Sequence, residues 1–187
     1  MAITEILKNT SNLSDEDIST LLEDMEMVCY SKGERLIDEG QKDLYLYFIE
    51  KGLVRSSILR DGKHLTITLA VEGEMSVFSP SLSEVRISKL IVDAIEDCVL
   101  WRISRTRMKE LFNNSIAFAN FGREIVENQL IQYEDYFTEY YSMDKKGQYR
   151  LMMKKYPYLL QRVSLGEIAS WLNITPQSLS RIRGEID

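Results

Sequence analysis

The apolar positions of this chain change their period twice. Near the start, "SDEDISTLLEDM" (14–25) puts Ile18, Leu21, Leu22 and Met25 on one side of a helix. Ser14 suits the N-cap, and Asp15 to Asp17 suit the positive end of the helix dipole. From about 26 to 103 the pattern shortens to strands. "ERLIDEG", "LYLYFIEKG", "LVRSSILRDG", "KHLTITLAVEGE", "SKLIVDAIED" and "CVLWRIS" are β-branched or aromatic runs. Gly33, Gly40, Gly52, Gly62, Gly73 and the acidic turn Glu96-Asp97 divide them, and Asp61-Gly62 between alternating runs predicts a hairpin. Strands at this spacing without helices between them predict an antiparallel sandwich or barrel.

From about 105 to 142 the period returns to helical. "FANFGREIVENQLIQYEDYFTEYYSM" has no proline and runs for about seven turns. Ala119, Val126, Tyr133 and Tyr140 recur every seven residues, with Gly122, Gln129 and Tyr136 three further on, in the manner of an a/d seam. A helix of that length cannot hide its stripe on a small domain alone. The expectation is therefore pairing with a second copy along Ala119, Gly122, Val126, Gln129 and Tyr133; packing along its own β domain is the other reading. Next, "DKKGQYRLMMKKYPYLL" predicts a helix with apolar Leu151, Met152 and Tyr156, ended by Pro157.

The chain closes on two short helices. Ser164 with Glu167 three residues later forms a capping box, and Leu165, Ile168, Ala169 and Leu172 make an inner face. Asn173 stands where the turn needs tolerance of positive φ. Thr175 caps the second helix, Pro176 fills its first turn, Leu179 and Ile182 point inward, and Gln177, Ser178 and Arg181 face out. That is the helix-turn-helix plan, whose second helix enters the DNA major groove. Gln177 offers an amide to adenine and Arg181 a fork to guanine. Thr175, Ser178, Ser180 and Arg183 suit phosphates. A plain structural corner is the competing reading of the same pattern.

Charge supports the DNA reading for the tail only. The whole chain of 187 residues carries a formal net charge of −6, yet residues 144–187 hold eight Lys/Arg against four acids. The basic part fits a polyanion and the acidic remainder another task. Hydrophobic residues at 44% allow a buried core. The two cysteines, Cys29 and Cys98, are too few for a disulfide scaffold and read as reduced core residues in apolar runs. The single histidine, His64, lacks a His or Cys partner nearby and reads as a solvated strand residue rather than a metal ligand. No "GxxxxGKS", "HExxH" or "CxxC" occurs, and no nucleophile has a base beside it, so the expectation is a non-enzyme. The start lacks a basic flank with an apolar run, and no stretch approaches the roughly 20 apolar residues of a membrane span, which favours the cytoplasm.

Taken together, "LYLYFIEKGLVR", "VEGEM", "AIEDCVLWRI" and "KKYPYLLQRVSLGEIASWLNITPQSLSRIR", with the distances between them, resemble the Crp/Fnr (cyclic-AMP receptor protein/Fnr) family of transcription regulators. The resemblance covers nearly the whole chain. It implies an α+β fold: an N-terminal double-stranded β-helix of jelly-roll, cyclic-nucleotide-binding-like type (1–104), a long dimerisation helix (105–142) and a C-terminal helix-turn-helix domain (143–187). It implies double-stranded operator DNA, a second copy of the chain and RNA polymerase as partners, no membrane, and Gln177 and Arg181 as base readers. Pro176 stands where many members carry another arginine; members often continue past the recognition helix into a β-hairpin wing, and Glu185 and Asp187 stand where a basic end is expected.

The effector region departs further from the family pattern. The resemblance places a candidate pocket at Gly73, Glu74, Met75, Val77, Phe78, Arg86, Ser88 and Lys89. The family's second Gly-Glu pair is Val77-Phe78 here, and its Arg-Ser pair is Ser88-Lys89. A guanidinium and backbone N–H groups are what a cyclic phosphate needs. Cyclic AMP is therefore not the expected effector; another small ligand, or none, is. The alternative function is a ligand-binding or interaction module with a vestigial helix-turn-helix.

Overall fold

Capping and apolar stripes fix the first two helices, α1 (Ile3–Thr10) and α2 (Asp15–Glu23). The computed structural model describes residues 2–76 and 81–186. At α2 the Ser14 hydroxyl accepts the Asp17 N–H at 3.1 Å, and the Asp17 carboxylate accepts the Ser14 N–H at 3.2 Å. Helix α1 was not anticipated, although Ile3, Ile6 and Leu7 make its buried stripe.

Contacts divide the chain into two units, Met1–Ile58 with Thr68–Ile125, and Leu59–Ile67 with Val126–Asp187. The strands, which lie in the first unit except for the β5–β6 tip Leu59–Ile67, are β1 (Glu26–Tyr30), β2 (Arg35–Ile37), β3 (Lys42–Asp43), β4 (Tyr45–Lys51), β5 (Val54–Arg60), β6 (Lys63–Ala70), β7 (Met75–Ser76), β8 (Arg86–Ile87), β9 (Ile91–Ala94) and β10 (Cys98–Ser104). One sheet runs β1-β10-β4-β7 and a second β2-β9-β5-β6, with β3-β8 as a small ladder. The ladders β1–β10, β10–β4, β2–β9, β3–β8, β4–β7 and β5–β9 are antiparallel, as the alternating runs predict.

Alternation along the strands sorts side chains into two cores. Tyr47, Ile49, Cys98 and Leu100 of one sheet join Ile37, Val54, Val92 and Ala94 of the other. Leu46, Phe48 and Ile103, on the opposite face of their sheet, pack with Ile6, Leu7, Ile18 and Leu21 of the N-terminal helices and with Met108, Phe118 and Phe121. Burying each of these large side chains contributes roughly 1.5–3 kcal/mol. The cysteines divide by the same rule. Cys98 lies in the inter-sheet core, whereas Cys29 is exposed, which corrects the expectation that both are core residues. Its neighbours Val28 and Tyr30 turn inward, so period-two alternation sends Cys29 out.

One turn requires glycine for two reasons. Gly52 has φ +102°, and a Cβ there would lie 2.9 Å from both the Asp97 carbonyl oxygen and the Cys98 Cα. Left-handed backbone and close approach act together at this position.

Helices α3 (Arg105–Asn114) and α4 (Ile116–Asp135) follow. Ser104 caps α3 by accepting the Arg107 N–H at 3.1 Å, and Ser115, in extended backbone, separates the two helices. Arg105, the first residue of α3, is buried. Its Nε donates to the Asp43 carbonyl at 3.0 Å, and its guanidinium also bonds the Asp43 carboxylate and the Ser81 carbonyl.

In the second unit a π-helical turn, Tyr136–Tyr140, continues from α4. Its rings stack in pairs: Tyr136 on Tyr140 at 4.6 Å and Phe137 on Tyr141 at 5.5 Å. Buried Gln148 then caps this end, donating to the Tyr140 and Met143 carbonyls at 2.9 and 3.3 Å. The remaining helices are α5 (Lys145–Lys155), α6 (Leu159–Arg162), α7 (Leu165–Trp171) and α8 (Pro176–Gly184). No helix among the described residues is long and apolar enough to cross a membrane.

Candidate functional site

Two helices joined by a tight turn carry the residues proposed from the sequence to read DNA. Ser164 accepts the Glu167 N–H at 3.2 Å and starts α7. Asn173 takes φ +52°, the left-handed value for which its side chain is suited, and the Ile174 N–H closes the turn on the Ala169 carbonyl at 2.9 Å. Thr175 then accepts the Ser178 N–H at 3.2 Å, with Pro176 in the first turn of α8. Ile168, Ala169, Leu172, Leu179 and Ile182 are buried. This spacing leaves Gln177, Ser180 and Arg181 exposed. Ser178 and Arg183 are half-buried, and the Thr175 and Ser178 hydroxyls lie 3.0 Å apart in a mutual hydrogen bond.

Charge around the pair is partly compensated. Lys146 Nζ lies 3.1 Å from the Glu185 carboxylate and 3.3 Å from its carbonyl, so it neutralises the acid and caps the C-terminal end of α8. Lys155 pairs with Glu139 at 3.4 Å, Arg162 lies 5.8 Å from the Tyr158 ring centroid, and Arg150 and Lys154 are exposed.

The stripe along α4 differs from the a/d reading. Gly122 is buried against Phe112 of α3, and a Cβ there would fall 2.7 Å from the ring's Cζ. Gly122 is therefore occupied within its own chain. Of the other positions, Ala119, Val126 and Tyr133 are exposed and Gln129 is half-buried. Along α4 and the π-helical turn, Val126, Leu130, Tyr133 and Phe137 are exposed apolar residues, with Leu130 67% exposed. Spacings of four, three and four put Leu130 and Phe137 on the stripe in place of Gln129 and Tyr136, and a leucine can bury more apolar area than a glutamine.

Six of the eight candidate effector residues fall among the described residues. Val77 and Phe78 lie outside the described residues. The Gly73 N–H bonds the Ile49 carbonyl at 3.0 Å, and the Glu74 carboxylate accepts the Val71 N–H at 3.2 Å. Met75 packs with the helix-side core, because its register partner Phe48 faces that way. The buried Ser88 hydroxyl donates to the Leu90 carbonyl at 2.7 Å and accepts the Leu90 N–H at 3.1 Å, while Arg86 and Lys89 are exposed. Ser88 is thus committed to its own turn.

Sequence reasoning missed two features between and beside the sheets. Arg55 and Asp93, register partners on β5 and β9, form a buried bidentate pair, Nε at 2.9 Å and Nη2 at 2.5 Å from the carboxylate. Ser56 is fully buried, and its hydroxyl is the only buried side-chain polar atom without a hydrogen-bond partner among the described residues. It shares a face with Val54, and its register partner Val92 lies in the inter-sheet core, so it points between the sheets. The short polar run "RSS" within a strand was the available signal. No cluster of three metal-ligating side chains occurs among the described residues.

These geometries define a β-roll of the cyclic-nucleotide-binding type, and residues 27–115 match the family model of the cyclic nucleotide-binding domain. Among solved structures, the chain is similar to FixK2 from Bradyrhizobium japonicum (18% identity, 87% of this chain and 84% of that one, TM-score 0.72). It is similar also to CLP, the c-di-GMP-responsive global regulator of Xanthomonas campestris (18%, 92% and 91%, TM-score 0.71). The catabolite activator protein of Thermus thermophilus shares 19% identity over 94% of this chain and 84% of that one, with a TM-score of 0.59. The resemblance to the Crp/Fnr family is borne out at the level of the fold: residues 27–115 match that domain, and the chain shares the fold of these proteins. No curated protein matches the chain by sequence.

Proposed function

We propose that the chain is a homodimeric, DNA-binding transcription regulator of the Crp/Fnr type, with α7 and α8 as its helix-turn-helix. The observation that carries this reading is the pairing of a buried inner face, Leu179 and Ile182, with Gln177 and Arg181 left exposed on the same helix. Arg181 suits bidentate contact with guanine and Gln177 with adenine. Thr175 and Ser178 stabilise the helix start, which leaves Ser180 and Arg183 as the stronger phosphate candidates. The apolar stripe Val126, Leu130, Tyr133 and Phe137 supports self-association, since this much exposed apolar surface on one helix face is disfavoured in water.

The sensor half is proposed to take a small ligand other than cyclic AMP. Ser88 bonds its own turn, and Met75 faces away from the space between the sheets. The unpartnered Ser56 hydroxyl supports a ligand with a hydrogen-bonding group in that space.

The test is binding-site selection from a random DNA pool, followed by titration of the selected site against salt. Affinity is expected to fall steeply with rising salt. Arg181→Ala should erase the preference for the selected site and leave the oligomeric state intact. Absence of binding to any DNA at low salt refutes the reading.

A further inference from the structure

The β5–β6 hairpin tip, Leu59–Ile67, belongs to the same compact unit as α5 to α8. One side chain joins it to α7. The Ser170 hydroxyl accepts the Thr66 N–H at 2.9 Å and the Thr66 hydroxyl at 3.1 Å, and donates to the His64 carbonyl at 2.7 Å. A serine hydroxyl has one proton to give and two lone pairs, so these three bonds fill its capacity. His64 and Thr66 are two residues apart on β6, so their backbone groups project to one side of the strand. Strand β6 ends its sheet, and an edge strand normally leaves such groups to water. Here a helix supplies the partner, and Thr66 is buried.

Ser170 also sits beside the turn that sets α8. Its neighbour Ala169 is buried, and the Ala169 carbonyl accepts the Ile174 N–H that closes the turn between α7 and α8. A serine near the end of a helix more often bonds its own preceding turn or water. This one is committed to a strand more than a hundred residues away in sequence.

We infer that residues 59–67 are a third working element of the DNA-reading unit, and that Ser170 is a positioning residue for recognition. By tying α7 to the edge of β6 it fixes the Ala169–Ile174 closure and, through it, the attitude in which α8 presents Gln177 and Arg181. The inference rests on the DNA-binding reading above. It predicts an effect on selectivity: base contacts demand correct placement of α8, whereas phosphate contacts tolerate displacement.

The experiment compares wild type, Ser170→Ala, Ser170→Thr and Thr66→Val in the full chain. Amide exchange at Thr66 is read by NMR, and affinity is read for the selected site and for random DNA at one salt concentration. Ser170→Ala should deprotect the Thr66 amide and weaken the selected site roughly tenfold, with random-DNA affinity changed less than about twofold. Ser170→Thr, which keeps the hydroxyl, should restore both readouts. Thr66→Val removes one of the three bonds and should produce a smaller loss of the same kind. Should Ser170→Ala fail to fold, the ordering of wild type, Ser170→Thr and Thr66→Val carries the test. Unchanged exchange at Thr66 in Ser170→Ala overturns the inference, as does deprotection with an unchanged ratio of selected to random affinity. Wild type that binds no DNA refutes the underlying reading instead, while the exchange measurement still reports whether Ser170 holds the hairpin.

Discussion

Replacing Asp43 by alanine would strand the Arg105 guanidinium in the interior. Their side chains are only 1% and 5% exposed for Arg105 and Asp43, so solvent screening does little for the charge left behind. Removing one partner of a buried pair costs about 3–5 kcal/mol. Arg105 also opens α3, where the helix dipole disfavours a cation by roughly 0.3–1 kcal/mol. At about 2–4 °C per kcal/mol for a chain of this size, Tm should fall by roughly 6–20 °C. Calorimetry of Asp43→Ala, Arg105→Met and the double variant Asp43→Ala/Arg105→Met forms the cycle. The double variant should be more stable than Asp43→Ala, because both charges are gone. It should not regain wild-type stability, since the Asp43 and Ser81 carbonyls lose the donor that Arg105 supplied. A double variant as unstable as the sum of the two single changes would refute the argument.

Three further outcomes follow from the geometry. Leu130→Glu places a charge in the exposed stripe and should convert the chain to monomer in analytical ultracentrifugation; an unchanged sedimentation coefficient at dimeric mass would move the interface elsewhere. Cyclic AMP should leave Tm unchanged, whereas a dose-dependent rise would show that the folded chain binds it after all. Burial pushes the Cys98 thiol above its ordinary pKa, lowering its thiolate fraction, so iodoacetamide at pH 8 should label exposed Cys29 in the native chain and reach Cys98 only in denaturant. Equal labelling rates in the native state would contradict that.

Much of this architecture is legible in local sequence. Ser14, Ser164, Thr175, Pro176 and Asn173 act through bonds to residues within a few positions, so their roles could be read directly. The inner face of the helix pair was legible for the same reason. What escaped depends on distant partners. The heptad count put Gly122 on a dimer seam because nothing in the α4 sequence reveals that the Phe112 ring covers it. Arg55 with Asp93, and Arg105 with Asp43, are 38 and 62 residues apart; strand register joins the first pair, and the packing of the α3 start against β3 joins the second. Met75, placed in the candidate pocket by the family resemblance, packs instead with the helix-side core. One residue's shift in β7 decides whether a side chain enters the space between the sheets or the helix-side core.

The glycines of the β-roll carry a consequence for how this scaffold tolerates drift. Gly33, Gly40, Gly62 and Gly73 share positive φ with Gly52, but a methyl group at any of those four would meet open space. Asparagine, which visits that backbone region more readily than other side chains, is an acceptable replacement there. At Gly52 the Asp97 carbonyl and the Cys98 backbone forbid any side chain whatever its torsional preference. A saturation library across the five sites would therefore return a mixed alphabet at four and a single letter at the fifth.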